Sequence, residues 1–315
     1  MAENQEIRRG LARRLEFIEW RVYWAGRVNR RDLEEKFQIS TPQASLDFRE
    51  YQQLAPGNII YNATEKTFLA SDFFEPHFMK LSPERYLLQL QALKFEATPI
   101  SDSWFAELPP ADVAPTIVRG PQAYVLRGIL KAIEMRGAID IYYQSLTKAG
   151  MRRVCPHALA HDGLRWHMRA LCLNNLEFRD YVLGRVHSIS PPVRCGSDSD
   201  DDVEWNTQFT LVMTAHPGLS TQQKVAIEHD YRMVDGKLHQ KMRLAVAYYF
   251  IRRYNLDLVA EGRIEPERAQ LCLQNFDSFN DELADAKARS KELVAQRKAR
   301  GELTHSINRD GANGE

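Results

Sequence analysis

Arginine and histidine recur in alternation through the stretch from Ile139 to His187. In Leu164 to Cys172 a period of two puts Trp166, Met168, Ala170 and Cys172 on one face of a strand and Arg165, His167 and Arg169 on the other. In Phe178 to Arg185, Arg179, Tyr181, Leu183 and Arg185 share a face, and in Ile139 to Tyr143 so do Ile139, Ile141 and Tyr143, with Ser145 following in phase. Guanidinium forks match phosphate oxygens in bidentate geometry, so the chemistry such a wall suits is recognition of a phosphate-bearing ligand. Arg169 and Arg179 rank first as contacts, Ser145 and His167 next, then Tyr143, Arg152, His157 and Arg185. If the two runs pair as a hairpin across Asn174-Asn175, the guanidinium groups of Arg169 and Arg179 converge on one face. The competing reading makes Arg152, Arg165 and Arg185 solvated edge charges.

Catalysis and metal binding fare worse. His157 and His161 are four residues apart, a zinc-like spacing on a helix, but Pro156 and Gly163 argue for extended chain. There the two imidazoles lie about 13 Å apart, too far to share an ion. A hydrolytic set of Ser145, His161 and Asp162 needs a base held at hydrogen-bond distance from the nucleophile, and no Gly-x-Ser-x-Gly turn or other supporting motif is present. Neither a Walker loop nor a Gly-x-Gly-x-x-Gly follows a strand. No enzyme activity, cofactor or metal is expected.

The elements that must position these residues are short strands, with turns at Lys148-Ala149-Gly150, His161-Asp162-Gly163 and Leu173-Asn174-Asn175. Together they predict a small β-barrel with one cationic wall. Upstream, Leu11, Leu15, Ile18 and Val22 form the stripe of an amphipathic helix stopped by Gly26. Asn29 caps a short second helix with Asp32 in its first turn, and Thr41 caps a third with Pro42 at its first position. Ala44, Phe48 and Tyr51 face inward. Asn58 to Tyr61 and Lys66 to Ala70 follow as a hairpin. Helix, short helix, turn, capped helix and hairpin make a winged helix-turn-helix. Gln43, Ser45 and Arg49 point outward as base-reading candidates, Thr41 at the helix start is a further DNA contact, and Asn62 and Lys66 in the wing are phosphate candidates. The alternative for Arg49 is an ion pair with Asp47, with Glu50 or with a neighbouring helix. Arg8, Arg9, Arg13, Arg14, Arg27, Arg30 and Arg31 cluster where helix starts could hold backbone phosphates.

Ser82-Pro83-Glu84 opens a further helix, Glu96 to Gly120 reads as a loop region, and Pro121 opens a helix with Val125, Ile129, Ala132 and Ile133 inside. Downstream, Gly196 to Glu204 (GSDSDDDVE) reads as a solvated acidic linker. Trp205, Thr207, Phe209, Leu211 and Met213 alternate as a strand. Thr221 to Tyr231 is helical, Asp235-Gly236 marks a hairpin, and Met242 to Tyr254 is a helix apolar enough to suggest a dimer contact. Phe279 to Arg300 is a charged helix, and Gly301 to Glu315 has the composition of a disordered tail.

Within this frame the series Tyr143-x-Ser145, Arg152-Arg153-x-Cys155-Pro156-His157, Gly163-x-Arg165-Trp166-His167-Met168-Arg169-Ala170 and Phe178-Arg179-Asp180-Tyr181-x-Leu183-x-Arg185-Val186 resembles the WYL domain of bacterial transcription regulators. Trp166-His167-Met168 stands where the name-giving Trp-Tyr-Leu would be, and in that it is similar to the branch that accompanies BREX and CBASS phage-defence operons. The resulting expectation is a multidomain α+β chain. It has a winged helix-turn-helix (1–75), a helical bridge (76–136), an SH3/Sm-like WYL β-barrel (137–195) and a C-terminal α+β dimerisation domain (203–315). The resemblance implies a homodimeric transcription regulator, most like a repressor of a phage-defence operon, on an inverted repeat of double-stranded operator DNA. It also implies a nucleic-acid or nucleotide effector received at the motif positions. A nucleotide-processing enzyme using His157, His161 and His167, and an adaptor that binds no DNA, remain as alternatives.

Composition sets the outer bounds. The 315 residues are enough for two or three domains, with 44% hydrophobic and 27% charged residues. Lys plus Arg and Asp plus Glu both number 42, which argues against a nonspecific nucleic-acid coat but not against local charge. Ile139 to Pro192 holds seven Lys/Arg and four histidines against four Asp/Glu. No export signal or membrane span is evident, so a cytoplasmic location is expected, with Cys155, Cys172, Cys195 and Cys272 as free thiols.

Overall fold

The computed structural model describes residues 2–115, 117 and 120–303. They fall into two units, Met1–Ile117 and Val118–Glu315.

In the first unit α1 (Ala2–Ala25) ends at Gly26, whose φ of +72° is a left-handed turn that glycine enters without strain. A two-residue strand β1 (Arg27–Val28) follows, then α2 (Arg30–Phe37) and α3 (Thr41–Leu54). Asn29 caps α2 in a reciprocal box with Asp32. The cap of α3 is Ser40, whose side chain accepts from the Gln43 N–H, so Thr41 is the first helical residue and not the expected cap. Strands β2 (Ile59–Asn62) and β3 (Thr67–Ala70) form the hairpin, and β1 adds to it in the order β1-β3-β2. That third strand is too short to show a period. α4 (Pro83–Lys94), capped by Ser82, packs on the same core through Leu90, and the loop after it contributes Trp104 and Phe105.

That core joins Leu15, Ile18 and Val22 of α1 to Leu33, Ala44, Phe48 and Tyr51. Glu19 is buried within it. Its carboxylate accepts from the backbone N–H groups of His77, Phe78 and Met79 at 2.7, 3.0 and 3.0 Å. Such donors offset the cost of burying the charge and tie α1 to the chain entering α4.

In the second unit α5 (Ala123–Met135) leads into β4 (Gly137–Gln144), β5 (Ala149–His161), β6 (Trp166–Cys172), β7 (Glu177–Val182), β8 (Val186–Ile189) and β9 (Val193–Arg194). The expected bridge thus divides, α4 packing in the first core and α5 in the second. The strands form an antiparallel sheet, β7-β6-β5-β4-β8, with β9 on the start of β4. Among the described residues its pairings trace an open path. The first turn falls at Ser145–Lys148, earlier than expected, because Ala149 and Gly150 already pair with Gln144 and Tyr143. One face of the sheet (Ile139, Ile141, Val154, Met168, Ala170, Tyr181) is covered by Val125, Ile129 and Ala132 of α5. The other carries Ala138, Cys155, Leu171 and Phe178.

That second face is covered by the C-terminal part: α6 (Val203–Asn206), β10 (Gln208–Ala215), α7 (Thr221–Asp230), β11 (Leu238–Arg243), α8 (Leu244–Arg253), α9 (Leu256–Ala260), β12 (Leu271–Leu273) and α10 (Phe276–Ala299). Its sheet runs β11-β10-β12. Two expectations shift here. Trp205 lies in α6 and not in a strand, because Asp202 accepts from the Trp205 N–H and starts a helical turn. Met242 lies in β11, paired with Phe209, so the apolar helix begins at Leu244. Its buried residues Leu244, Ala247 and Ile251 are accounted for within the unit's own core. Val294 of α10 and Leu303 join the face bearing Cys155. The tail expected to be disordered lies, beyond Leu303, outside the described residues.

The expectation of four free thiols is corrected. Cys155 and Cys195 are disulfide-bonded with Cα atoms 6.7 Å apart, at the long end of the range for a bridge, while Cys172 and Cys272 are free. Strand order explains it. β9 folds back onto β4, the neighbour of β5, and brings Cys195 to Cys155 across forty residues of sequence. No described helix is long and apolar enough to cross a membrane.

Candidate nucleic-acid interface and sensing face

On α3 the buried positions Ala44, Asp47, Phe48 and Tyr51 leave Thr41, Leu46 and Arg49 exposed, with Gln43 and Ser45 half-buried. Asp47 is the residue that sets this face. Its buried carboxylate takes Arg14 Nε and Nη2 at 2.6 and 3.1 Å, and Gln43 Nε2 at 2.9 Å. Asp47 is therefore unavailable to Arg49, whose one hydrogen bond among the described residues is a long 3.4 Å donation to the Ser45 carbonyl. Ser45 itself donates to the Thr41 carbonyl. Gln43 is oriented by Asp47, and Arg49 is presented to solvent. In the wing, Asn62 Oδ1 accepts from the N–H groups of Thr64 and Glu65, which closes the turn, and leaves exposed Lys66 beyond it. Of the N-terminal arginines, Arg9, Arg13, Arg27 and Arg30 are exposed, Arg14 is committed to Asp47 and Arg31 pairs with Glu35. The side chain of Arg8 lies outside the described residues.

The second unit departs further from expectation. In the β6–β7 register Arg169 faces Asp180 and Ala170 faces Arg179. Directly opposed residues share a face, so Arg169 and Arg179 point to opposite sides and do not converge. Arg169 is only 3% exposed. It holds Asp202 with two bonds (2.7 and 2.9 Å), Glu204 at 2.7 Å and Asp180 at 3.3 Å. The stretch expected to be a solvated linker supplies this counter-charge: Asp201, Asp202 and Glu204 are buried, and Asp201 pairs with Arg297 of α10 at 2.5 Å. Burial alone would lower the Arg169 pKa, but the Asp202 hydrogen bonds and the fields of three carboxylates raise it. For Asp202 burial works upward, yet Arg169 and His157 together pull it below the usual range. For Glu204, burial prevails over Arg169 and the pKa rises.

The histidines join the same face. His157 sits at the β5 bulge with Nε2 2.9 Å from Asp202. His167 is buried against the ring of Tyr249 of α8, with Nε2 2.9 Å from Asp162. Burial pushes the Asp162 carboxyl up, but His167 and the N–H groups of Leu164 and Arg165 outweigh it and bring it to about 2. Tyr249 donates to Asp180 at 2.9 Å. The remaining candidates lie elsewhere. The Tyr143 hydroxyl accepts from the Val182 N–H, and Ser145 is bonded within its own turn to Lys148. Arg152 is half-buried opposite Ile141, on the face that Arg179 shares, and Arg185 is half-buried in the 3-10 turn Leu183–Arg185. Arg179 is exposed and holds Glu177 at 2.7 Å. Among the described residues no group of three or more His, Cys, Asp or Glu side chains could hold a metal.

The periodicity of single strands carries no sign of the roles of Asp180, Asp202, Glu204 and Tyr249. A signal existed: a basic stretch followed directly by five acids among nine residues. Adjacent segments of opposite charge can fold onto each other, and these do.

A three-strand wing on a helix-turn-helix, an antiparallel sheet bearing the WYL motif series and a helix-covered C-terminal sheet define a class, and family comparisons agree with it. Residues 10–92 match the BrxR transcriptional regulator winged helix-turn-helix domain, 124–191 the WYL domain and 208–279 the BrxR transcriptional regulator C-terminal dimerization domain. Among curated relatives, the DNA-binding transcriptional repressor CapW of Pseudomonas aeruginosa is 38% identical over 280 residues, 88% of this chain and 93% of the relative. CapW of Escherichia coli (strain KTE188) is 36% identical over 278 residues, 88% and 93%. CapW of Stenotrophomonas maltophilia is 35% identical over 281 residues, 87% and 92%. The chain belongs to the CapW family.

Proposed function

We propose that this chain is a DNA-binding transcriptional repressor that acts as a homodimer on an inverted repeat and is released by an effector. The observation that carries the first part is the outward face of α3, where Arg49 stands exposed because Arg14 and Gln43 occupy Asp47. An exposed arginine on the second helix of a helix-turn-helix can fork to guanine, with Thr41, Ser45 and Gln43 beside it and Lys66 on a phosphate. The curated relatives, named as repressors over nearly their whole length, support the sign of regulation. The match to a dimerization domain supports two copies per site.

In this reading the second unit is the sensor: an SH3/Sm-like WYL barrel with its dimerisation domain, which takes a nucleic-acid or nucleotide effector. The controlled operon is a phage-defence system, as the motif series implies. Arg152 and Arg179 remain the ligand-contact candidates. Arg169, His157 and His167 couple the sheet to the C-terminal domain, because their partners come from that domain or from the turn before β6. The test is a gel shift of the purified chain on its own upstream region against a scrambled duplex, without divalent ions. Two chains bound per inverted repeat are expected. Equal affinity for both duplexes would overturn the assignment.

A further inference from the structure

A cavity of about 400 Å³ opens between β7 and α10. Its size lies within the roughly 300–1,000 Å³ of small-molecule sites. Lys287 and Lys291 come from the helix, and Arg179, although its register puts it on the sheet face opposite Arg169, lines the cleft from the open edge of β7. The two lysines are exposed and one helical turn apart, where like charges repel, so an anion between them relieves the repulsion. Arg179 is held by Glu177, but as an exposed pair that water screens, so a phosphate can replace that carboxylate. Leu176 and Phe178 supply an apolar wall beside the cations. Among the lining residues is buried Glu204, whose carboxylate is anchored by buried Arg169 at 2.7 Å.

Three cations, an apolar wall and one fixed acceptor are the complement of a nucleotide: phosphate on the cations, base on Leu176 and Phe178, and a ribose hydroxyl or base amine on Glu204. We infer that this cleft binds a phosphorylated nucleoside of mononucleotide size, through Arg179, Lys287 and Lys291. The site rests on the proposed reading that the second unit senses an effector, and it locates that effector between the sheet and the C-terminal helix. Its wall is continuous with the Arg169 cluster, so occupancy acts on the contacts that join sheet to C-terminal domain.

The test is isothermal titration of the full chain with the four nucleoside 5′-monophosphates, the corresponding nucleosides, inorganic phosphate and a short single-stranded oligonucleotide. At least one monophosphate is expected to saturate at one per chain, with its nucleoside and inorganic phosphate at least about tenfold weaker. Lys287→Ala/Lys291→Ala, at exposed helical positions that alanine suits, should weaken that binding by about tenfold or more, and Lys287→Arg/Lys291→Arg should retain it. Failure of every monophosphate to saturate, or wild-type affinity in the alanine pair, would overturn the site. Phosphate binding as tightly as any monophosphate, or the oligonucleotide binding more tightly, would overturn the ligand class. Operator binding by the same wild-type sample, measured without nucleotide, tests the repressor reading alone. A chain that binds operator but no nucleotide loses only this inference.

Discussion

Arg49 and Arg169 both read, along the chain, as cations pointing away from a hydrophobic face. In the fold they have opposite fates. Arg49 stays on an exposed face of α3, bonded among the described residues only to its own helix. Arg169 is enclosed by carboxylates that come from 11, 33 and 35 residues away. The contrast lies in what covers each face. On α3 the nearby acid, Asp47, turns inward and is claimed by Arg14 from the first helix. On β6 the outer face of the sheet is covered by the C-terminal part, and the acidic stretch enters with it. A period therefore says which side a residue takes, but not whether that side meets water.

Replacing each arginine should separate the two roles. The largest effect belongs to Arg169→Ala, which leaves Asp202, Glu204 and Asp180 buried without their cation. Removing one partner of a buried pair costs about 3–5 kcal/mol, so urea unfolding should show a loss of that order, and Arg169→Lys should recover only part of it. Unchanged stability would mean water enters the cluster and would dissolve the contrast. Arg49→Ala should leave the unfolding midpoint where it is and cost about 1–3 kcal/mol of specific operator binding, measured by competition titration. An equal loss on scrambled duplex would reassign it to a phosphate.

The next effect is in pH. Asp162 sits at about 2 when folded, below its ordinary value of 3.8. Its contribution is present in full above the ordinary value and is lost as pH falls through about 2, because the unfolded chain takes up the proton first. His167→Phe removes the main side-chain donor, so the part of its stability deficit that comes through Asp162 should shrink as pH drops below about 4 in thermal melts. Glu204 has the opposite sign. Its raised pKa makes the folded state the better proton binder, so its contribution weakens as pH rises past the ordinary glutamate value. The smallest effect is Lys66→Ala, which should weaken specific and scrambled duplexes alike and reduce the salt slope of binding by about 1.

Much was legible because it is local. The caps at Asn29 and Ser82, the inward set Ala44, Phe48 and Tyr51, the wing hairpin and the alternation of Met168, Ala170 and Cys172 all depend on residues within a few positions of one another. So does the motif series by which the WYL segment was recognised, since strand and turn spacing keep it in register. The site was less legible. Placing Arg169 and Arg179 together assumed a register in which they share a face, and the observed pairing shifts them by one residue to opposite sides. The disulfide followed the same logic, since β9 returns to β4 at a position no local pattern marks.

What the sequence determined by itself was most of the longer elements, their apolar faces and the family. These rest on periods of 3.6 and 2 and on caps that short-range backbone hydrogen bonding imposes. What only the tertiary structure decided was which charges stay in water. A guanidinium and a carboxylate attract at any sequence separation. Whether they meet depends on which surface is laid over them, and for Arg169 that surface arrives with the C-terminal part of the chain.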